Sequence, residues 1–238
     1  MQAIIVAGGR GERLRPITDK IPKPMVEVGG KTILEHTIDL LRDNGVTDLV
    51  LALCYLPEVI VDYFGNGNKF GVGIRYTYEN PEDPQGTAGA IRDSKKYITD
   101  DFIVTYADIL RKLDVVRMIE QHVNTGPQAT INVYKRYGKD PKSIVLFDSD
   151  NRVIDFRERP LPDEVGGDFV WANGSFYILN KDVFDYVGKS GSVDFGKDVF
   201  PAMIKNNQKI CVFKSEEYFV DIGNLEKLEL ARKTFKPV

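Results

Sequence analysis

The sequence predicts an α/β fold: a doubly wound, mixed and mostly parallel sheet, with a small antiparallel portion in the second half. Three observations carry this. Ala3–Ala7 is a short apolar run without alternation, as in a strand buried on both faces of a parallel sheet. It breaks at once into Gly8-Gly9-Arg10-Gly11, and a glycine-rich loop leaving the C-terminal end of a first strand is where open α/β sheets bind ligands. From there to Glu79 strand and helix patterns alternate, which calls for right-handed crossovers. Together they describe a Rossmann-like architecture.

The elements follow in order. Prolines at 16, 22 and 24 forbid a long helix directly after the first loop. Gly29-Gly30 reads as a hairpin or turn, and Thr32 as a helix N-cap with Glu35 completing a capping box. Ile33, Leu34, Ile38, Leu40 and Leu41 form a helical stripe that Gly45 stops. Asp48–Cys54 is a second buried strand, Pro57–Phe64 a helix closed by Gly65, and Ile74–Glu79 a third strand. Asn80–Ala90 is a loop with two prolines and two glycines, running into a helix through Tyr97. Phe102–Thr105 is a fourth buried strand ending in Tyr106-Ala107-Asp108. A helix over Leu113–Val123 precedes strands at 129–134, 143–147, 152–156 and 169–179. Gly174 inside the last of these predicts a bulge or a close backbone approach. Helices at 181–187 and 195–206, strands at 209–214 and 218–221, and a final helix Leu225–Phe235 capped by Asn224 complete the chain.

Size and composition exclude several classes. The 238 residues suit one domain, 1–238, with a doubly wound half at 1–110 and a half richer in antiparallel strands at 111–238; no repeat or hexapeptide tail is expected. A net charge of -3 implies no general affinity for nucleic acid. Cys54 and Cys211 lie in apolar runs and read as reduced core residues. Two distant histidines assemble no zinc cluster. Neither a signal peptide nor an apolar run of about 20 residues is visible, so no membrane and a cytoplasmic location are expected.

The chemistry concentrates in the first loop. Glycines let successive N–H groups converge on an anion, and Arg10, Arg13, Arg15, Lys20 and Lys23 add cations, which points to a phosphate ligand. Two familiar motifs fail. Gly9-Arg10-Gly11-Glu12-Arg13 continues to Leu14, so no dinucleotide fingerprint exists, and Gly30-Lys31-Thr32 lacks a glycine at position 25 for a P-loop. Asp108, at the tip of a central strand, faces the same crevice as the loop. Beside phosphates its natural task is holding Mg²⁺, with a helix cap as the competing reading.

At this point the residues resemble a known family, the sugar-1-phosphate nucleotidylyltransferases, or nucleotide-sugar pyrophosphorylases. That family opens with a strand, Gly-Gly-x-Gly-x-Arg-Leu-x-Pro and Pro-Lys-Pro. Here these are Gly8–Pro16 and Pro22-Lys23-Pro24. Gly86-Thr87-Ala88-Gly89-Ala90, Ala107-Asp108, Glu158-Arg159-Pro160, Asn173-Gly174 and Val220–Gly223 continue the series over nearly the whole chain. The resemblance implies the nucleotide-diphospho-sugar transferase fold, with 1–110 the nucleotide-binding half and 111–238 the sugar-binding half, an NTP and a sugar 1-phosphate as substrates, and Mg²⁺ as cofactor. It assigns nucleotide binding to Ala7, Gly8, Gly9, Gly11, Gln85, Gly86 and Thr87. Arg13, Lys23 and Asp108 become catalytic, and Asp108 and Asp221 hold the metal. Glu158, Arg159, Asn173 and Gly174 meet the sugar phosphate.

Ala107 stands where the family usually has Gly, and its methyl is expected to crowd the nucleoside; Arg159 stands where Lys is usual. The Gly86–Ala90 loop resembles the mannose- and heptose-1-phosphate guanylyltransferases. It implies GTP with a hexose- or heptose-1-phosphate, against UTP, dTTP or CTP. Two other functions compete: a non-catalytic nucleotide-sugar sensor, and transfer to another alcohol phosphate. The last helix or the Gly65–Phe70 loop could serve a homodimer.

Overall fold

The structure is a computed structural model and describes residues 1–138, 142–161 and 164–236. In chain order the elements begin β1 (Gln2–Ala7), β2 (Glu27–Val28), β3 (Lys31–Thr32), α1 (Ile33–Asp43), β4 (Asp48–Leu53), α2 (Pro57–Phe64) and β5 (Gly73–Tyr78). Then come α3 (Gly86–Gly89), β6 (Phe102–Tyr106), β7 (Ile109–Arg111), α4 (Val115–Thr125), β8 (Ala129–Tyr137), β9 (Ser143–Phe147) and β10 (Val153–Glu158). The chain ends with β11 (Phe169–Leu179), α5 (Phe184–Val187), α6 (Phe200–Lys205), β12 (Ile210–Ser215), β13 (Phe219–Asp221) and α7 (Leu225–Thr234). The fold class is the expected one, a mixed and mostly parallel central sheet with helices.

The chain forms two compact units: Met1–Pro84, Thr105–Val115 and Glu217–Val238 in the first, Gln85–Val104 and Val116–Glu216 in the second. They interleave in sequence, unlike the consecutive halves 1–110 and 111–238, because the segment from Glu217 returns to the first unit.

In the first unit β1 pairs parallel to β4 from Gln2↔Asp48 to Ala7↔Leu53, and β4 pairs parallel to β5. Ile4 and Ile5 are fully buried, as a strand covered on both faces requires. Helix α1 starts on the predicted capping box: Glu35 N–H donates to Thr32 Oγ1 (3.1 Å) and Thr32 N–H to the Glu35 carboxylate (2.7 Å). A second buried cluster joins Leu14, Val26, Ile33, Leu110, Ile222 and Leu228. It therefore gathers the first loop, the β2–β3 hairpin, β7, the chain after β13 and α7. Asn224 caps α7 by accepting from Lys227 N–H at 2.9 Å.

In the second unit the strand order is β12-β8-β11-β6. β12 runs parallel to β8 and β11 antiparallel to it, while β9 and β10 form an antiparallel ladder. The β11–β8 register shifts between Asn173 and Tyr177, at the bulge expected around Gly174.

Four expectations change. The helix through Tyr97 is a single turn, α3, followed by a 3-10 stretch Arg92–Tyr97. Glycines at 86 and 89 propagate a helix poorly. The 181–187 helix begins as a 3-10 turn, Lys181–Val183. The 195–206 helix begins as a five-residue π turn, Phe195–Val199. Cys54 is only half-buried, because β4 ends beneath the glycine loop; Cys211 is buried, and both thiols are free. No described helix is long and apolar enough to cross a membrane.

Candidate active site

Three prolines break the chain after β1 into three 3-10 turns, Glu12–Leu14, Ile17–Asp19 and Lys23–Met25. Leu14, fully buried, pins the middle of the loop to the core. Gly11 is left-handed (φ +66°), and an added Cβ would stand 2.9 Å from Thr18 Cγ2 and 3.0 Å from Lys23 Cβ. Thr18 Oγ1 donates to the Gly11 carbonyl at 2.8 Å. The loop thus folds over the stem of Lys23. At Gly8 an added Cβ would meet Cys54 Cβ at 2.9 Å, whereas at Gly9 it would meet no described residue within 4 Å. The backbone N–H groups of Gly8, Gly9 and Gly11 donate to no described residue. An anion could take them all.

The loop cations divide. Arg10 Nη2 donates to the Pro81 carbonyl (2.7 Å), and Arg15 pairs with Asp19 at 3.2 Å. Lys23 is largely buried, and its Nζ donates to Asp108 Oδ2 at 2.6 Å. Arg13 is exposed, and a Cβ added to Gly223 would lie 3.4 Å from Arg13 Nη2 and 3.6 Å from Asp221 Oδ1. The bare Cα of Gly223 is therefore the common neighbour of Arg13 and Asp221.

Asp108 sits in the turn between β6 and β7. Ala107 N–H donates to the Val6 carbonyl (3.0 Å), which lays this turn beside the end of β1. β7 pairs antiparallel with β13, Asp221 opposite Ile109, and Ile222 N–H donates to the Asp108 carbonyl at 2.9 Å. Of the two predicted metal carboxylates, Asp221 thus lies on this ladder and Asp108 in the turn that leads into it. Asp108 caps no helix: a strand follows it and its carboxylate meets Lys23. Ala107 is 1% exposed, so its methyl lies in the packed interior rather than against open space; Ala7 is buried likewise, at 2%. The first unit brings together Ala7, Gly8, Gly9, Gly11, Arg13, Lys23, Asp108 and Asp221.

The second unit holds the remaining predicted residues in two groups. The Gln85–Gly89 loop is built against Val193 and Asp194. Val193 N–H donates to the Gln85 carbonyl (2.8 Å), and the Val193 carbonyl accepts from Ala88 N–H (2.9 Å) and Gly89 N–H (3.0 Å). Gly86, at φ +75°, has no room for a side chain: a Cβ would stand 2.5 Å from Val193 O. The Thr87 hydroxyl donates to Asp194 Oδ2 at 2.8 Å and accepts from Phe195 N–H at 3.0 Å. The Gln85 side-chain oxygen accepts from Arg92, which also donates to the Gly188 (3.1 Å) and Gly191 (2.8 Å) carbonyls.

The sugar set gathers at the β9–β10 ladder. Glu158 lies opposite Ser143, whose Oγ accepts from Asn173 N–H at 3.1 Å. Burial pushes the Glu158 carboxyl above its ordinary range and Asp194 adds to this, while Arg159, Lys197 and Lys142 pull it back. Asn173 Oδ1 accepts from Ser175 N–H (2.9 Å), and its Nδ2 donates to the Tyr177 hydroxyl (2.7 Å), holding the bulge. Gly174 permits close approach: an added Cβ would overlap the Asn132 side chain. Arg159 is exposed in the left-handed region (φ +51°), its N–H donating to the Lys142 carbonyl at 2.8 Å. Sequence reasoning missed Arg92, Ser143, Val193 and Asp194. Only Asp194 left a signal, an acid one residue before the predicted start of a helix.

The first unit thus sets a glycine loop with open N–H groups beside two strand-end carboxylates on an α/β sheet. Residues 2–236 match the family model described as Nucleotidyl transferase, and the chain belongs to that family. It is 31% identical over 242 residues to a UTP--glucose-1-phosphate uridylyltransferase of Synechocystis, covering 94% of this chain and 61% of the relative. It therefore spans about three fifths of that relative's length. It is 31% identical to the D-glycero-alpha-D-manno-heptose 1-phosphate guanylyltransferase of Aneurinibacillus thermoaerophilus, covering 98% of this chain and 97% of that one. The crystal structure of HddC from Yersinia pseudotuberculosis complexed with GMP-PN superposes with a TM-score of 0.79 at 30% identity, covering 99% of both chains.

Proposed function

We propose that the protein transfers a nucleoside monophosphate from an NTP to a sugar 1-phosphate, giving an NDP-sugar and pyrophosphate. The observation that carries this is the Lys23–Asp108 contact beneath the Gly8–Gly11 loop, with Asp221 on the adjoining strand. A phosphate oxygen of the sugar 1-phosphate bonds to the α-phosphorus as the α–β bond breaks, and pyrophosphate leaves with the electron pair. A phosphate monoester is already ionised at neutral pH, so the reaction needs charge neutralisation and positioning more than a base. The open N–H groups of Gly8, Gly9 and Gly11 take phosphate oxygens. Arg13 holds the triphosphate and then the pyrophosphate, and Lys23 bridges the α-phosphate and the incoming phosphate.

Asp108 and Asp221 fit Mg²⁺, which takes one or two carboxylates and completes its shell with phosphate oxygens and water. No described group of three or more His, Cys, Asp or Glu offers an all-protein metal cage. When bound, Mg²⁺ supplies charge neutralisation on the triphosphate. Gln85, Gly86 and Thr87 serve the base; Glu158 accepts from sugar hydroxyls with Asn173 and Gly174, and Arg159 meets the sugar phosphate. GTP and a hexose- or heptose-1-phosphate are favoured by the likeness to the heptose guanylyltransferase, which matches along almost its full length. UTP is the second reading, favoured by the uridylyltransferase relative. A consumer of NTPs belongs in the cytoplasm.

The test is pyrophosphate release with Mg²⁺ across GTP, UTP, dTTP and CTP, each with mannose, glucose and heptose 1-phosphates. Release with GTP and one of these sugars is expected; none with any pair overturns the reading. Asp108→Asn is expected to abolish release while the protein melts normally, and surviving activity would refute the metal assignment.

A further inference from the structure

Asp194 accepts three hydrogen bonds on its carboxylate, and the reaction above gives it no task. Its Oδ2 accepts from the Thr87 hydroxyl (2.8 Å); its Oδ1 accepts from Gly196 N–H (2.9 Å) and Lys197 N–H (3.3 Å). Its own N–H donates to Asp198 Oδ2 at 2.7 Å. On one side these bonds reach the base loop, through Thr87 and the three backbone bonds made by Val193. On the other they fix the π turn that starts at Phe195. Gly196 in that turn abuts the sugar carboxylate: an added Cβ would stand 2.7 Å from Glu158 Oε2 and 2.8 Å from Phe156 Cε1. Phe195 also packs on Tyr177 (ring centroids 5.2 Å), whose hydroxyl accepts from Asn173 Nδ2.

We propose that Asp194 is a positioning residue that ties the base loop Gln85–Gly89 to the sugar-recognition residues Glu158 and Asn173, with the Thr87 hydroxyl as its latch. The inference rests on the nucleotidyl-transfer reading and deepens it. A hydroxyl has one proton to give, and that of Thr87 goes to a carboxylate oxygen of Asp194 at 2.8 Å. Thr87 therefore acts through Asp194 rather than by donating to the base. A disturbance at the latch reaches both substrates, because the same carboxylate caps the turn against which Glu158 is packed.

The test uses the full chain and whichever NTP and sugar 1-phosphate give the fastest pyrophosphate release. Thr87→Val removes the hydroxyl at nearly constant shape. It is expected to raise the KM for the NTP and for the sugar 1-phosphate together, each by about ten-fold, with a smaller change in kcat. Thr87→Ser restores the hydroxyl and should recover most of the loss in both. A rise confined to the NTP makes Thr87 a direct base contact and overturns the proposal, as does no rise in either.

Should Thr87→Val fail to fold, Asp194→Asn gives an independent readout. It keeps an oxygen for the Gly196 and Lys197 N–H groups and removes the negative charge near Glu158. Arg159, Lys197 and Lys142 remain, and Tyr177 stays neutral because burial, the main cause of its raised hydroxyl, is unchanged. The acid limb of kcat/KM for the sugar 1-phosphate is then expected to move to lower pH; an unmoved limb overturns the proposal. Absence of release by the unaltered protein defeats the functional reading and this inference together. Release without the paired KM change defeats this inference alone.

Discussion

The Gly8–Gly11 and Gly86–Gly89 loops use the same residue for opposite ends. In the first, Gly9 has open space where a side chain would stand, and the N–H groups of Gly8, Gly9 and Gly11 reach no described acceptor. In the second, the chain itself fills the room. Val193 O stands 2.5 Å from the missing Cβ of Gly86, Gln85 Cβ stands 2.8 Å from that of Gly89, and two N–H groups of the loop are spent on the Val193 carbonyl. One loop presents its backbone outward; the other is clamped inward by Val193, Asp194 and Arg92. A glycine-rich stretch therefore says that something approaches the backbone closely, not whether it is a ligand or the protein.

The strongest way to break this contrast is at the cation under the open loop. Lys23→Met keeps the buried stem and deletes the charge. It is expected to lower kcat by about 10²–10³, the scale of a lost transition-state contact. NTP binding, measured by calorimetry, should weaken far less. If binding and kcat fall equally, Lys23 holds the ground state and its assigned bridging role is wrong.

That contrast also marks how far the sequence could be read. The first unit was legible because its signals are local. β1 is an unbroken apolar run, the Thr32–Glu35 capping box names the start of α1, and prolines 16, 22 and 24 exclude a helix whatever the tertiary context. The three-residue strand β7 was not legible, because so short an element exists only through its ladder with β13, over 100 residues away. The second unit's site was legible only as a list of polar residues. Its geometry depends on backbone carbonyls at Val187–Val193 that Arg92 and the base loop seize, and a carbonyl carries no sequence signature. For the same reason the assignment of Thr87 to the base was read from its place in a motif. In the structure its hydroxyl donates to Asp194, so Thr87 would serve the base by holding the loop.

Alanine at three glycines sharpens the contrast further. Gly11→Ala combines a left-handed φ of +66° with contacts of 2.9 and 3.0 Å, and is expected to cost about 1–3 kcal/mol of stability by denaturant melting. Gly86→Ala should cost at least as much, since its Cβ would press on a backbone carbonyl that cannot rotate away. Gly9→Ala should leave stability within about 0.5 kcal/mol, yet raise the KM for the NTP, because its methyl would meet no described residue within 4 Å and would stand where the ligand binds. A Gly9→Ala protein with unchanged KM would mean that the open space is not the phosphate site.

The smallest effect concerns protons. Glu158 is half-buried, and both burial and Asp194 hold its carboxyl above the usual carboxylate range, against the pull of Arg159, Lys197 and Lys142. The sign follows from its task. As a carboxylate it accepts from sugar hydroxyls; as an acid it loses that capacity. Activity toward the sugar 1-phosphate should therefore be full above the raised value and fall as pH drops through it, at a higher pH than an exposed glutamate would give. Both substrates carry phosphates that also titrate near pH 6, so the unaltered profile mixes several groups. Glu158→Gln separates them: it keeps an acceptor oxygen and no longer titrates. The difference between the two profiles in kcat/KM for the sugar 1-phosphate should contain one acid limb, absent from the corresponding difference for the NTP. If that limb lies at or below the ordinary glutamate range, Glu158 is better solvated than its packing against Gly196 and Phe156 requires. If the limb is equally present for the NTP, the carboxylate serves both substrates, and the division of labour between Glu158 and the base loop is wrong.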